Sequence, residues 1–249
     1  KRMGFMSGRI EGRNPVLEAL KANREIDKLF IKKGGIEGSL KKIVHEAKRR
    51  GIVIKEVEKK RLDEMSQTGS HQGVIAMISE YKYAQVRDIL DRAREKNEDP
   101  FIIMLDKITD NHNLGSIIRT ANVMGAHGVI IPKHESASLG AVSAKASAGA
   151  VEFTPVAKVG NLSKEIDNLK KEGIWVYGAD MDGDRLVYDA DFSGGVCLVI
   201  GSEGEGISRL VKEKCDFLLK IPMRGEINSL NASVAAGIMM YEVAKKKFL

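Results

Sequence analysis

From residue 101 onward the sequence alternates short, mostly apolar runs with longer stretches in which apolar residues return every three or four places. The short runs fall at 101–105, 128–131, 153–156, 174–177, 196–200 and 217–220, and their length and apolar content mark them as strands of a sheet covered on both faces. The stretches between and around them, at 86–96, 114–124, 141–146, 162–171, 206–212 and 232–248, carry the helical period. Strand and helix taking turns in this way predict an α/β fold, a mostly parallel sheet with helices on both faces.

The first eighty residues repeat the alternation on a smaller scale. Asn14-Pro15 opens a helix over 14–22, with a capping residue followed by a proline in the first turn. A strand at 28–32, a helix at 39–50 closed by Gly51, a strand at 52–57, a short helix at 60–66 and a strand at 74–78 complete the set. The pattern predicts a small α/β domain at 1–80, a polar linker with two tyrosines at 81–86, and a larger domain at 87–249. There is no internal repeat and no low-complexity tract.

Composition narrows the class. With 43% hydrophobic and 30% charged residues, a chain of 249 residues is an ordinary water-soluble protein able to bury a real core. No apolar run approaches a membrane span, and the first residues lack the apolar centre of a signal peptide, so a cytoplasmic protein without a membrane partner is expected. Ile10-Glu11-Gly12-Arg13 matches a protease site used in expression tags, but the sequence runs straight on into the first helix and native sequence is expected there. Cys197 and Cys215 have neither metal-ligand spacing nor a secreted context, and both are expected to be reduced and structural.

Charge changes the picture more. Residues 1–80 hold 18 Lys and Arg against 11 Asp and Glu, a balance of +7, while residues 81–249 hold 22 against 23, a balance of −1. A basic module on a near-neutral body is the pattern of a nucleic-acid grip attached to a catalytic domain, although a merely soluble basic surface gives the same number.

Chemistry concentrates near the C-terminus. The run Val196 to Ser233 places two apolar strands before two loops, and such loops hold ligands in α/β proteins. Gly201-Ser202-Glu203-Gly204-Glu205-Gly206 has its glycines in the order G-x-x-G-x-G, not the dinucleotide order, and bears two carboxylates and no lysine. That excludes a phosphate cradle and with it a nicotinamide oxidoreductase, and it favours a cationic ligand. Ser229 and Asn231 precede the last helix, where a helix start suits an anionic group, so a zwitterionic, positively charged cofactor fits the pair of loops. Glu203 can orient a substrate or act as a base, or be a plain acidic turn residue. Ser229 and Asn231 can be helix caps and nothing more.

Residues 106–119, DKITDNHNLGSIIR, follow the first strong strand and enter a helix with Asn113 as its expected cap. Arg119 then projects opposite Ile117, Ile118, Ala121 and Met124, either as a surface arginine or as a fork for phosphate or ribose. The aspartates of 178–184 lack the glycine and glutamate positions of a calcium loop, which leaves a solvated turn whose strand end can border a ligand pocket. His71, in a turn cluster at 68–73, is expected to be exposed, with an RNA contact as the lesser reading. No Ser-His-Asp order, zinc spacing or Walker sequence offers another chemistry, and no metal is expected.

Three segments, NHNLGSIIRTANVMGAHGVIIP, LVIGSEGEGIS and IPMRGEINSLNASVAAGIMMYE, together closely resemble the motifs of the SpoU (TrmH-type) family of RNA ribose 2′-O-methyltransferases in the SPOUT superfamily. Residues 9–80, through GRNPVLEAL and HQGVIA, resemble the family's L30e-like substrate-binding domain. Within the family the whole chain is most similar to the bacterial 23S rRNA guanosine 2′-O-methyltransferases. The resemblance implies a deep trefoil knot near Gly201 to Ala236, S-adenosylmethionine bound in it, and a homodimer acting on RNA rather than DNA. It assigns cofactor contacts to Gly201, Ile221 and Leu230, and active-site positions to Asn113, Arg119, Glu203, Ser229 and Asn231. A guanidinium pKa above about 12 makes Arg119 a poor base, so it is expected to grip a phosphate or hydroxyl and stabilise the developing alkoxide. A tRNA-directed methyltransferase and a non-catalytic ribosome-assembly factor of the same fold are the competing readings.

Overall fold

A computed structural model describes residues 8–35, 37–78, 81–226 and 229–248. The chain forms two compact units. One runs to Lys82 and the other takes the rest, except that Leu139–Ala141 group with the first.

In the first unit, β1 (Arg9–Glu11) and α1 (Arg13–Lys21) lead to β2 (Ile26–Lys32), α2 (Ser39–Arg49), β3 (Val53–Val57), α3 (Lys59–Met65) and β4 (Val74–Ile78). The sheet order is β1-β4-β2-β3; β2 and β3 are parallel and the other two pairings antiparallel. Leu40, Ile43, Val44 and Ala47 lie on one side of α2 at helical spacing. They pack with Val16, Ala19 and Leu20 of α1 over Leu29, Ile31, Val74 and Ala76. Ile10 and Glu11, the first residues of the protease-like run at 10–13, lie in an edge strand of this sheet, with Ile10 opposite Ala76. A three-residue strand without an apolar run gives no period to read.

The second unit contains α4 (Val86–Glu95), β5 (Phe101–Leu105), α5 (Asn111–Val123), β6 (Gly128–Pro132), α6 (Ala141–Ala146), β7 (Val156–Val159), α7 (Leu162–Lys171), β8 (Ile174–Ala179), β9 (Arg185–Leu186), β10 (Gly195–Ile200), α8 (Arg209–Lys212), β11 (Phe217–Lys220) and α9 (Ala232–Phe248). Its seven strands run in the order β7-β6-β5-β10-β8-β11-β9, with every pairing parallel. Every residue of β5 and β10 is buried, which is why their sequences are unbroken apolar runs. Because β10 sits between β5 and β8, strands from both halves of the sheet end side by side, and the loops leaving them meet over the carboxyl edge.

Three expected elements move. The strand expected at 153–156 is replaced by a single 3₁₀ turn at Ala150–Glu152 and by β7 three residues later. Pro155 lacks an N–H, and it joins the sheet only by accepting from Val129 N–H at 2.9 Å. The cap of α5 is Asp110, not Asn113: its carboxylate accepts from the N–H groups of His112 and Asn113 and is thereby held below the usual aspartate range. The helix expected from 206 starts at Arg209, because Gly206 and Ser202 exchange two backbone hydrogen bonds and close the preceding loop on itself.

Candidate active site

Three loops at the carboxyl edge of the parallel sheet surround a cavity of about 280 Å³. Residues 179–182 after β8, 200–207 after β10, and 221, 223, 229 and 230 after β11 line it, with Lys212 of α8 and the start of α9. The loop after β5 does not line it but is tied to it. Asp106, 5% exposed, accepts from Ser208 N–H at 2.7 Å, and its own N–H donates to Ile200 O at 2.8 Å. Lys107, at φ +57°, reaches Glu205 with an N–O distance of 2.6 Å. This pairing raises the lysine's pKa and lowers the glutamate's.

Gly201 fixes the shape of the loop after β10. A Cβ there would fall 2.1 Å from Gly206 C and 2.3 Å from Ile207 N, so the two backbone passages touch where no side chain fits. The tight crossing turns Glu203 back toward α5 and α9. Its Oε1 accepts from Asn113 Nδ2 at 3.0 Å, from Asn231 Nδ2, and from Ala232 N–H at 3.3 Å. Asn231 Nδ2 also donates to Asn113 Oδ1 at 3.0 Å. On its other side Asn231 caps α9, its Oδ1 accepting from Ser233 N–H, Ser233 Oγ–H and Val234 N–H. One carboxylate thus joins the starts of two helices that are 118 residues apart at Asn113 and Asn231.

On the opposite wall Asp180 pairs with Lys212 at 2.8 Å and accepts from Asp182 N–H at 2.9 Å. The Asp180 side chain is 10% exposed, and its hydrogen bond raises the Lys212 pKa. The cavity is therefore rimmed by Glu203, Glu205, Asp180 and Asp182, with Lys212 engaged by Asp180 and Lys107 by Glu205. A partly apolar cavity with an anionic rim and glycine backbone at its mouth suits a cationic ligand with an apolar body, and it disfavours a polyphosphate.

Of the residues singled out from the sequence, Gly201, Glu203, Ile221, Ser229 and Leu230 line the cavity. Asn113 and Asn231 stand behind Glu203 and hold it. Arg119 is not brought in: it is exposed on α5, six residues past Asn113, about 9 Å along the helix axis. Sequence reasoning missed Asp106, Lys107 and Lys212. Asp106 closes an unbroken apolar strand run, and that position was the available signal; Lys212 gave none, because its partner Asp180 lies on another strand-loop unit. His71 is buried rather than exposed. Its Nδ1 accepts from Gly73 N–H at 3.0 Å and its Nε2–H donates to Asp63 at 2.8 Å, so it braces a loop of the first unit.

Comparison with known proteins agrees with this geometry. A family model described as the SpoU rRNA Methylase family matches residues 100–241, and one described as RNA 2′-O ribose methyltransferase substrate binding matches residues 9–84. YacO of Bacillus subtilis (strain 168), assigned to the TrmH family of tRNA/rRNA methyltransferases, is 49% identical over 236 residues, covering 95% of this chain and 94% of its own. A Staphylococcus aureus protein assigned likewise is 46% identical over 240 residues, 96% of each chain. Among solved structures, the SpoU methyltransferase AviRb from Streptomyces viridochromogenes in complex with AdoMet superposes with a TM-score of 0.61 at 25% identity, covering 96% of this chain and 89% of its own. An AdoMet-bound rRNA methyltransferase from Sinorhizobium meliloti gives 0.60 at 26% identity, covering 98% and 88%.

Proposed function

The chain belongs to the SpoU rRNA methylase family and is an RNA methyltransferase of that family; we propose that it uses S-adenosylmethionine to methylate a guanosine ribose 2′-OH in 23S rRNA, as a cytoplasmic homodimer. The observation that carries the reading is the cavity at the carboxyl edge, with the Asn113–Glu203–Asn231 cluster at its mouth. S-adenosylmethionine fits what lines it. The Gly201–Gly206 crossing leaves backbone exposed where a Cβ would fill the space, and the acidic rim suits a sulfonium charge. Gly201, Ile221 and Leu230 would hold the cofactor, within the deep trefoil knot that the family resemblance implies near Gly201 to Ala236.

The bound cofactor supplies an electrophilic methyl group, so the remaining work is orientation of the ribose and removal of a proton. Asn113, Glu203 and Asn231 form an acceptor-rich cluster, made rigid by the caps of α5 and α9, that holds the sugar hydroxyl in line. Ser229 shapes the far wall. Arg119 grips an RNA phosphate or the reacting hydroxyl and stabilises the developing alkoxide, while the proton leaves to a neighbouring acceptor or water.

Arg119 serves the pocket of a second copy in this reading. Its exposed stripe on α5 continues to Val123, 73% exposed, and Phe153, Val234 and Tyr241 are further large apolar residues at 68%, 50% and 50% exposure in the same unit. Such exposed apolar side chains support a protein interface. The basic first unit, matched by the substrate-binding model, would hold RNA through its backbone. The S. meliloti rRNA methyltransferase spans both units, which supports rRNA over tRNA as substrate.

Arg119→Ala is expected to lower kcat by about 10²–10³-fold, and Arg119→Lys to keep part of the activity without a shift in pH profile. Total loss in Arg119→Lys with RNA binding intact contradicts the assigned role. Sedimentation should show a dimer that Tyr241→Glu weakens. Offered 23S rRNA and bulk tRNA together, the enzyme should label the former; labelled tRNA alone reverses the substrate assignment.

A further inference from the structure

The first unit carries a second polar site that the methyl-transfer chemistry does not use. Between the turn after β2, the start of α3 and the loop before β4 lies an open groove of about 610 Å³, lined by Arg13, Lys32, Lys59, Asp63 and the glycine-rich turns at 34–35 and 69–73.

The loop at 66–73 is held far more firmly than a surface connection requires. Glu11 accepts from Ser66 Oγ–H at 2.6 Å, Gln67 N–H at 2.7 Å, Thr68 N–H at 3.3 Å and Thr68 Oγ1–H at 2.6 Å. Burial opposes the charge on Glu11, yet these donors lower its pKa from 4.5 to about 2. His71 sits beneath, between Asp63 and Gly73 N–H. Arg13 clasps the next residue twice: its N–H donates to Gln72 Oε1 and its Nε–H to Gln72 O, both at 3.1 Å. Gln72 itself is held at φ +50°, a conformation that residues with a Cβ adopt only when their surroundings impose it. A loop that contains a strained residue and is fixed at three places by polar anchors is the construction of a preorganised binding loop.

What surrounds the loop specifies the ligand. Lys32 and Lys59 are exposed, and among the described residues neither has an ion-pair partner. The groove's one carboxylate, Asp63, is engaged by His71. Around Gly34 and Gly35 nothing lies within 4 Å of where a side chain would start, so the backbone of this turn is open to close approach, whereas the Gly69 N–H is engaged by Ser66 Oγ at 2.9 Å. Free cations beside exposed backbone donors suit the sugar–phosphate chain of RNA. The other basic groove of this unit, between α1 and α2, also has exposed lysines in Lys41 and Lys42, but no glycine turn lines it, Glu46 holds Arg49 and Arg50, Glu18 holds Lys21, and Leu17 and Leu20 are among its lining.

We infer that the groove around Arg13, Lys32, Lys59 and the 66–73 loop is where the first unit grips the RNA backbone, and that the α1–α2 groove is not. This rests on the reading that the chain is an RNA methyltransferase. The test uses the full chain with a 23S rRNA fragment as probe, comparing Lys32→Gln/Lys59→Gln with Lys41→Gln/Lys42→Gln, which lie in the α1–α2 groove. The first pair should lower RNA affinity by roughly tenfold or more at about 0.1 M salt and reduce the salt slope by about 1.5, as two lost phosphate contacts demand. The second should stay within about twofold of wild type, and both should bind S-adenosylhomocysteine as wild type does. Equal losses in the two variants, or a loss confined to the second, overturn the inference while leaving the methyltransferase reading intact. A wild-type protein that binds no RNA overturns both.

Discussion

Glu203 and Glu11 each gather several hydrogen-bond donors, but the donors come from different places. Those of Glu11 belong to three consecutive residues, Ser66, Gln67 and Thr68, so the carboxylate makes one loop rigid. Those of Glu203 belong to the first turn of α5 and the start of α9, so it fixes the distance between two elements. The first arrangement prepares a surface. The second holds a cluster of acceptors and donors at the edge of a cavity, where a small displacement of either helix would spoil alignment. Loss of the first should therefore appear as instability and loss of the second as lost turnover.

Within these two arrangements the largest effect should come from removing the crossing that aims Glu203. Gly201→Ala forces a Cβ to within 2.1 Å of Gly206, and overpacking of about 3 kcal/mol corresponds to roughly a 100-fold loss of cofactor affinity. Calorimetry with S-adenosylhomocysteine reads it; unchanged affinity would show that the loop gives way freely. Next, Glu203→Ala should lower kcat about 10–100-fold, the worth of charge-assisted hydrogen bonds, with little change in melting temperature because the side chain is exposed. A large fall in melting temperature would make Glu203 a structural clamp like Glu11.

Glu11→Gln should do the reverse. The Glu11 pKa is depressed when folded, so its contribution is fully present above pH 4.5 and disappears as pH falls toward about 2. Urea unfolding of wild type should lose on the order of 1 kcal/mol across that window after allowance for solvent screening, and Glu11→Gln should lack that loss. An unaltered pH dependence would detach Glu11 from the loop. The smallest effect concerns the cysteines. Burial raises both thiols, Cys215 to about 12 and Cys197 further, so neither should be alkylated by iodoacetamide near pH ~8 in the folded protein. Rapid labelling would show that the α8 region opens.

The same contrast explains what the sequence made legible. β5 and β10 were readable because strands buried on both faces have no polar positions, and one cavity loop follows directly from the end of β10. Gly201 and Glu203 could be named from the motif that follows β10, and Ile221, Ser229 and Leu230 from the one that follows β11. The Glu11 cage was not readable: β1 is three residues long, its partner β4 lies more than sixty positions away, and the acidic residue sits in tag-like sequence. His71 looked exposed because turn composition says nothing of Asp63 beneath it. Asn113 looked like a cap because it is a capping type next to a helix, but Asp110, three residues earlier, takes that role and frees the Asn113 side chain for Glu203. Arg119 is exposed on α5, as its place opposite Ile117, Ile118 and Ala121 implied.

The central claim is that the cavity beside Glu203 delivers a methyl group to a ribose oxygen. The most direct measurement is to incubate wild type and Glu203→Ala with methyl-labelled S-adenosylmethionine and 23S rRNA, digest the RNA to nucleosides, and identify the labelled product. The account predicts 2′-O-methylguanosine from wild type and a strongly reduced yield of the same nucleoside from the variant. Label on a nucleobase, or none from a wild type that binds both cofactor and RNA, would contradict it.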